Sequence, residues 1–568
     1  MVEPPDDLAE LSALLRSIDG RSYGAYKRLA RLWRLDTCDL RVDRVQGDPF
    51  AAPSSVSLLV DPATAALPPW ALSTLERRIS TADFLLRRLI HVARDIARPR
   101  GSGRSGRIDV TPPLQEVLAR SSVQVARDGA VEARLRVGLP ASGRRVLGHE
   151  AAALLMDDLP DVVEDALRAD TLDLSALERH IHTVEDQQAL RGQLAGRKLV
   201  AFIADGAVLP RASGVDPGPM SRGAVPTVAP TSLAVSLTTP HSGSLRGLGI
   251  PEGLTLVVGG GYHGKSTLLK AIELGVYDHI PDDGRERVVT RSDAVKVRAE
   301  DGRAVTGLDI SAFIGALPGG GDTTCFSTID ASGSTSQAAA IVEARAIGSQ
   351  LLLIDEDTSA TNLLIRDARM AALVGAHKEP ITPLIRRITG LRADGCSLIL
   401  VVGGTGDYFA QADTVIWMDH WRAADATEAA QALAADEAAS DDPPRLPRAT
   451  PWQCAPSRIQ LRDHKGRLRV RTDEVRRLTL GDAAVDLRAL EQLVDPGQAR
   501  AAGLALALVA DALRSGAPDV KAALDLVVER LHQAGLDALS AQPRGDLATP
   551  RPYEIAAILA RLRTPERA

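Results

Sequence analysis

The stretch "GLTLVVGGGYHGKSTLLKAIELGV", Gly253 to Val276, decides the fold. Leu254–Val258 are apolar or β-branched and read as a buried strand, and a helical pattern resumes at Thr267. Between them, "GGGYHGKST" fits G-x-x-x-x-G-K-[ST] with Gly259, Gly264, Lys265 and Ser266 in the required places. Gly260, Gly261, Tyr262 and His263 complete the loop, and Thr267 enters the helix. A loop of this kind turns backbone N–H groups toward phosphate oxygens, and the helix N-terminus adds its dipole. The spacing therefore predicts a nucleotide site in which Lys265 reaches the β- and γ-phosphates of ATP and the Ser266 hydroxyl binds Mg²⁺.

Two further runs share the strand-then-loop pattern, "QLLLIDED" from Gln350 and "CSLILVVGG" from Cys396. Continuous apolar runs ending in Gly or acid are expected of buried parallel strands with functional loops at their C-terminal ends. Asp355 at the tip of "LLLID" is placed to complete the Mg²⁺ shell. The adjacent Glu356 is placed to accept a proton from an attacking water.

"DASGSTSQ", Asp330 to Gln337, leads into a helical run and by itself reads as an N-cap. Ser332 precedes Asp355 by 23 residues, however, the spacing found between the signature Ser and the acidic strand in ATPases of the ABC class. Longer pieces carry the same likeness: "GIPEGLTLVVGGGYHGKSTLL", "GVYDHIPDDGRERVVT", "FSTIDASGSTSQAA", "LLLIDEDTSATN" and "VVGGTGDYF". The chain resembles the family of predicted ATPases of the ABC class with accessory domains at both ends. That resemblance implies a homodimer in which Ser332, Gly333 and Ser334 of one subunit touch the γ-phosphate of ATP bound to the other, and a link to RNA in some members. It also exposes departures from the common ABC pattern. Ser334 replaces a Gly, Asp357 a Pro, and Thr361-Asn362 a Leu-Asp pair. Gly403 and Gly404 stand where a switch His is usual. No Phe, Tyr or Trp lies between Ala207 and Gly261 to stack on adenine.

The expected architecture is α/β: an ABC-type P-loop ATPase core at 165–450, an α+β N-terminal accessory domain at 1–164, and a mainly helical α+β C-terminal domain at 451–568. An Ala- and acid-rich stretch, Arg422 to Pro451, reads as an exposed helix and linker. The net charge of −6 over 568 residues excludes a chain that is basic throughout, so nucleic-acid contacts must come from local patches. The four cysteines have no C-x-x-C spacing and suit reduced thiols. No membrane segment is read from the sequence, the N-terminus lacks a signal-peptide pattern, and a cytoplasmic location is expected.

Three patches are candidates for RNA. Arg28 and Arg31 belong to a basic run interleaved with Tyr23, Tyr26 and Trp33, offering phosphate contacts beside stacking surfaces. Arg100, Arg104 and Arg107 lie in "RPRGSGRSGRID", read as a flexible loop because its G-x-G-x-x-G spacing lacks a strand-loop-helix setting. Arg467, Arg469 and Arg471 recur at period two and share one face of a strand. The expected function is an ATP-dependent homodimer that binds or remodels RNA. The alternatives are a slowly hydrolysing protein-interaction clamp and, less favoured, the ATPase subunit of a transporter.

Overall fold

The computed structural model describes residues 7–315, 317, 320–366, 373, 379–434, 451–473 and 475–563. Its contacts divide into two units: Met1–Glu185 with Ala534–Thr549, and Asp186–Gln533 with Pro550–Ala568.

The first unit is built on an antiparallel sheet ordered Leu32–Arg34, Asp39–Arg44, Ser54–Val60, Val131–Val137 and Ile108–Asp109, with Val123–Val125 also paired to Val131–Val137. Val131–Val137 shows why the sheet has two different faces. Val131, Ala133, Leu135 and Val137 alternate into an apolar core, where the helix Leu75–Ile96 contributes Leu85, Leu86 and Leu89. Thr74 caps that helix by accepting a hydrogen bond from the Arg77 N–H. The intervening Glu132, Arg134 and Arg136 point to the opposite face, which the segment Ala534–Thr549 occupies. Leu547 N–H donates to Ser121 Oγ at 3.0 Å, and Ser121 N–H donates to Leu547 O at 3.0 Å.

Arg134 fastens this segment. Its side chain is 5% exposed, and its guanidinium donates to both Asp537 carboxylate oxygens, at 2.5 and 2.7 Å, and to Glu132 Oε1 at 2.9 Å. These bonds hold the Asp537 carboxyl below the usual carboxylate range.

The second unit contains the parallel sheet expected from the apolar runs. β1 (Leu254–Val258) leads through the glycine loop to α1 (Lys265–Leu274), followed by β2 (Ala294–Val297), α2 (Gly333–Ala346), β3 (Leu351–Asp355), β4 (Ser397–Val401), β5 (Thr414–Asp419) and β6 (Arg422–Asp425). The order across the sheet is β2-β3-β4-β1-β5-β6, parallel except for the final β5–β6 hairpin. β3 and β4 are buried throughout, as strands covered on both faces must be. An antiparallel sheet, ordered Ala234–Thr239, Gly243–Pro251, Leu199–Ala204 and Val288–Thr290, precedes and flanks this core in sequence.

C-terminal elements of the same unit comprise an antiparallel sheet of Val470–Asp473, Arg477–Leu480 and Ala483–Asp486, and the helices Pro496–Arg514 and Pro552–Ala560. They attach to the parallel-sheet core through polar anchors. Gln492 Nε2 donates to Glu273 O and Ala294 O, at 3.0 and 3.2 Å, while Lys296 Nζ lies 2.6 Å from Glu491 and 3.2 Å from Glu273. The helix expected from Arg422 begins only at Thr427 and runs to Leu433, because Arg422–Asp425 pairs with β5 as β6; residues 435–450, expected as its continuation and a linker, lie outside the described residues.

Replacing Arg134 by Ala is expected to destabilise the first unit by about 2 kcal/mol, since two carboxylates lose a buried partner. Asp537 titrates low when folded, so its share of the stability is present at neutral pH and is lost as pH falls through the depressed value. The difference in urea midpoint between wild type and Arg134→Ala should therefore be large at neutral pH and shrink below about pH 4. Equal midpoints at neutral pH would count against the anchor.

Candidate active site

The parallel sheet delivers three loops to one edge. Val257 of β1, Val401 of β4 and Asp355 of β3 lie in a single register row, so the glycine loop, Gly403-Gly404 and Asp355-Glu356 all begin at the same level. Gly264, immediately before α1, adopts φ +97°, and the helix starts at Lys265 with its N–H groups turned to the loop. A Cβ at Gly264 would come within 2.7 Å of Trp421 Cδ1, so the loop and the β5–β6 turn are in close contact there. Lys265 Nζ donates to the carbonyls of Gly259 and Gly260 at 2.6 and 2.9 Å. Gly260, Gly261 and Ser266 are exposed; Gly259, His263 and Thr267 are half-buried.

Glu356 is held by main-chain donors. Its Oε2 accepts hydrogen bonds from Gly403 N–H at 2.5 Å and from Gly404 N–H at 3.1 Å. A Cβ built on Gly403 would stand 3.7 Å from Lys265 Nζ and 3.8 Å from Glu356 Oε2, so the ammonium and the carboxylate flank this one residue. The two glycines found in place of a switch His therefore engage the acid at the end of β3. Thr405 and Asp407 satisfy each other, the Thr405 hydroxyl donating to Asp407 Oδ2 at 2.7 Å. Asp355 is buried, which pushes its carboxyl pKa up, and its Oδ1 accepts from Asp357 N–H at 3.2 Å.

Ser332 is the N-cap of α2; its Oγ accepts from Thr335 N–H at 3.4 Å. Ser332 is exposed and Gly333 half-buried, whereas Ser334 is buried with its hydroxyl donating to Asn362 Oδ1 at 2.7 Å. Two departures from the common ABC pattern, noticed separately in sequence, are thus bonded to each other. Gln337, fully buried, adds a second tie. Its Nε2 donates to Ser359 Oγ at 2.8 Å and its Oε1 accepts from Ala360 N–H at 2.8 Å, fixing α2 to the loop that follows Glu356. Sequence reasoning passed over Gln337; the available signal was a long polar side chain amid the small residues of a buried helix face.

Asp419, His420 and Trp421 were also missed. His263 Nδ1 lies 2.9 Å from Asp419 Oδ1 and accepts from His420 N–H at 3.1 Å, while Trp421 N–H donates to His263 O at 3.1 Å. The exposed aromatic rings at the loop are Tyr262, 98% exposed, and Trp421, 46% exposed. Neither falls in the Ala207–Gly261 window searched for an adenine platform.

The proposed nucleic-acid residues fare differently. Tyr23, Tyr26 and Trp33 are core residues and offer no stacking surface: Tyr23 and Tyr26 donate to Leu139 O and Pro140 O, and Trp33 Nε1 to Leu29 O. The reason is local, since Tyr23–Leu29 is a tight 3₁₀ turn and Leu32–Arg34 a strand, not one amphipathic helix. Arg28 and Arg31 remain on the surface, Arg31 lying 4.4 Å from the Trp33 ring. The glycine-rich loop is packed and not free, with Ser102, Arg104 and Gly106 N–H donating to Ala141, Pro49 and Gly138 carbonyls. Arg100 is buried and forked onto Asp158, with a further bond to Glu150, so it is spent within the unit; Arg104 and Arg107 are exposed. Arg467, Arg469 and Arg471 do not share one strand face: the strand begins only at Val470, so Arg471 alone lies in it and is exposed, while Arg467 closes the preceding turn on Asp463 at 2.8 Å and Arg469 lies 3.9 Å from Asp482.

A glycine loop between β1 and α1, an acid pair at the end of β3, and a capped helix preceding it define a P-loop ATPase of the ABC class. Three family models match in succession: the ATPase of the ABC class N-terminal domain over residues 8–170, the ABC ATPase P-loop domain over 173–448, and the MRB1590 C-terminal domain over 469–567. The chain belongs to the ABC-class ATPases that carry these flanking domains. Over 146 residues it is 35% identical to the uncharacterized protein MJ1628 of Methanocaldococcus jannaschii, a match spanning 25% of this chain and 32% of that relative's length. Among solved structures it is similar to the ADP conformation of MJ1267, an ATP-binding cassette of an ABC transporter, at 12% identity, covering 42% of this chain and 96% of that one, with a TM-score of 0.25. It is also similar to cbiO1 from Clostridium perfringens, part of the ABC transporter complex cbiONQ, at 16% identity, 34% and 84% coverage, and a TM-score of 0.22.

Gly404→Ala tests the main-chain hold on Glu356, because the added Cβ would meet Glu356 Oε1 at 3.0 Å and displace the carboxylate by a few tenths of an ångström. Turnover of ATP should fall about tenfold with little change in KM. An unchanged kcat in a phosphate-release assay would show that these amides do not set the position of the acid.

Proposed function

We propose that the protein hydrolyses ATP between two copies of itself and that the resulting opening and closing acts on RNA. The observation that carries the hydrolytic part is the position of Gly403 between Lys265 Nζ and Glu356 Oε2, which sets a proton acceptor beside the ammonium that binds phosphate. In this reading the glycine-loop amides and Lys265 hold the β- and γ-phosphates. Glu356 takes a proton from water as the water oxygen bonds to the γ-phosphorus and the bridging oxygen leaves with ADP. Ser266 at the start of α1 and Asp355 at the end of β3 are the oxygen donors suited to Mg²⁺, which would neutralise charge on the phosphates.

One P-loop and one signature-type helix per chain support the homodimer, with exposed Ser332 and the Gly333 amide completing the partner's site. RNA as partner draws on the family resemblance and on the surface arginines Arg28, Arg31, Arg104, Arg107, Arg469 and Arg471. Among the described residues, no helix is long and apolar enough to cross a membrane; the large domains on both sides of the P-loop domain favour this reading over a transporter subunit. A second reading, a clamp that turns over slowly, is favoured by the absence of a histidine at Gly403-Gly404 and the use of main-chain donors there.

Glu356→Gln should lower turnover by about a hundredfold or more while preserving ATP binding. With saturating ATP it should elute as a dimer, whereas Lys265→Ala should not. Monomeric elution of Glu356→Gln would defeat the sandwich. For RNA, replacing Arg28, Arg104 and Arg107 together by Ala should weaken single-strand binding and reduce the salt slope by about 3; an unaltered slope would remove these residues from the interface.

A further inference from the structure

A cleft of about 870 Å³ opens between the C-terminal sheet and the loop Arg298–Ala304, on the flank of α2 and apart from the P-loop. Seven guanidinium groups line it against four carboxylates, an excess of three positive charges. The acids are partly committed: Glu300 is paired with Arg561 and Asp486 with Arg488, while Asp301 and Asp473 complete the set. Two arginines of the wall are backed from outside the lining, Arg303 by Glu343 and Arg298 by Glu491 at 2.8 Å. Arg563 donates to a neutral acceptor, Gly302 O, at 2.6 Å, and Arg476 on the turn between two strands and Arg477 at the start of the second are exposed. Burial, together with the like charge of Arg561, pushes the Arg303 pKa down even though Glu343 opposes the shift. Counted with Glu343 and Glu491, the cleft keeps an excess of one positive charge, which an anion entering it would neutralise.

Its chemistry narrows the ligand. Apart from charged groups, the lining consists of Ala, Val and Gly; no aromatic ring is present among the lining residues, so bases have nothing to stack on. Forked guanidinium donors without a stacking surface suit phosphate oxygens. A cleft of this size holds a small molecule bearing several phosphates.

The floor of the cleft is also the support of the signature helix. Glu300 N–H donates to Ser336 Oγ at 2.9 Å, Gly302 N–H donates to Ala331 O at 2.9 Å, and a Cβ on Gly333 would lie 3.2 Å from Asp301 Oδ1. We propose that this cleft is a second anion site, which takes a small oligophosphate and bears through residues 300–303 on the Ser332-Gly333 end of α2.

Tripolyphosphate is the probe, and Lys265→Ala in the full chain removes its binding at the P-loop. Calorimetric titration of that variant should reveal one remaining site, weakened at least about tenfold by adding Arg477→Ala and Arg563→Ala, and unaffected by adding Arg514→Ala on an exposed helix end. Pyrophosphate should displace the probe, and a short oligouridylate should not. Absence of binding in Lys265→Ala, or an affinity indifferent to Arg477 and Arg563, would overturn the proposal. Displacement by the oligonucleotide at lower concentration than by pyrophosphate would overturn it in favour of a nucleic-acid strand.

Discussion

The register of three parallel strands is the constraint on which the site depends. Val257, Val401 and Asp355 share one row because β1, β4 and β3 pair in parallel, and parallel strands release their chains at the same edge. Lys265 opens the helix after β1 and Glu356 follows β3, yet they flank the same glycine, and the main chain after β4 supplies the donors that orient the acid. Slipping one strand by a residue would move Asp355 off this row and exchange the side chains that β3 presents to its two covered faces, so the packing that builds the core also fixes the site.

The helix α2 is constrained from several sides. Ser332 caps its first turn, which carries Gly333 and Ser334, and its body carries the bonds that hold that turn in place. Ser334 to Asn362 and Gln337 to Ser359 and Ala360 tie the helix to the loop after Glu356, so hydroxyl and amide side chains join the acidic loop to the signature end. On its other flank the helix meets the Glu300–Arg303 loop and, beyond it, the C-terminal Arg561. Three sources of displacement, the acidic loop, the residues 300–303 and the C-terminal elements, converge on one short helix. A rigid element with buried polar contacts transmits such displacements as a body, because each bond broken inside would leave an unsatisfied buried group.

Much of this was legible in sequence where the signal is local. The phosphate loop occupies consecutive residues, and β3 and β4 announce themselves as apolar runs of strand length, so the α/β class and the positions of Lys265 at a helix start and of Asp355 and Glu356 at a strand end needed no long-range information. What escaped depends on distant pairing. The Gly403-Gly404 amides bind Glu356 across nearly fifty positions, and Ser334 finds Asn362 only after the strand between them has folded. Nothing in "RPRGSGRSG" says that Arg100 is turned inward, because its partner Asp158 lies on another element. The placement of Ala534–Thr549 with the N-terminal sheet rests likewise on Arg134 and Asp537, four hundred residues apart in the chain. Aromatic residues interleaved with arginines read alike whether they stack on a ligand or on a core, and Tyr23, Tyr26 and Trp33 do the latter.

Backbone strain marks where the fold is held against local preference. Among the described residues, six non-glycine positions have positive φ, and three of them, Tyr262, His420 and Trp421, meet at the phosphate loop. His420 and Trp421 form the two-residue turn between β5 and β6, a geometry that favours Asn-Gly and costs a bulky residue about 1 kcal/mol or more at each position. The cost is offset by what the turn does to the loop: His420 N–H reaches His263 Nδ1, Trp421 N–H reaches His263 O, and the Trp421 ring closes against Gly264. A loop rich in glycine would otherwise lose much conformational entropy on ordering around phosphate. Bracing it from the adjacent hairpin moves that loss into folding, so the amides are already arranged when an anion arrives, and His263 sits in the phosphate loop as the residue through which the brace acts.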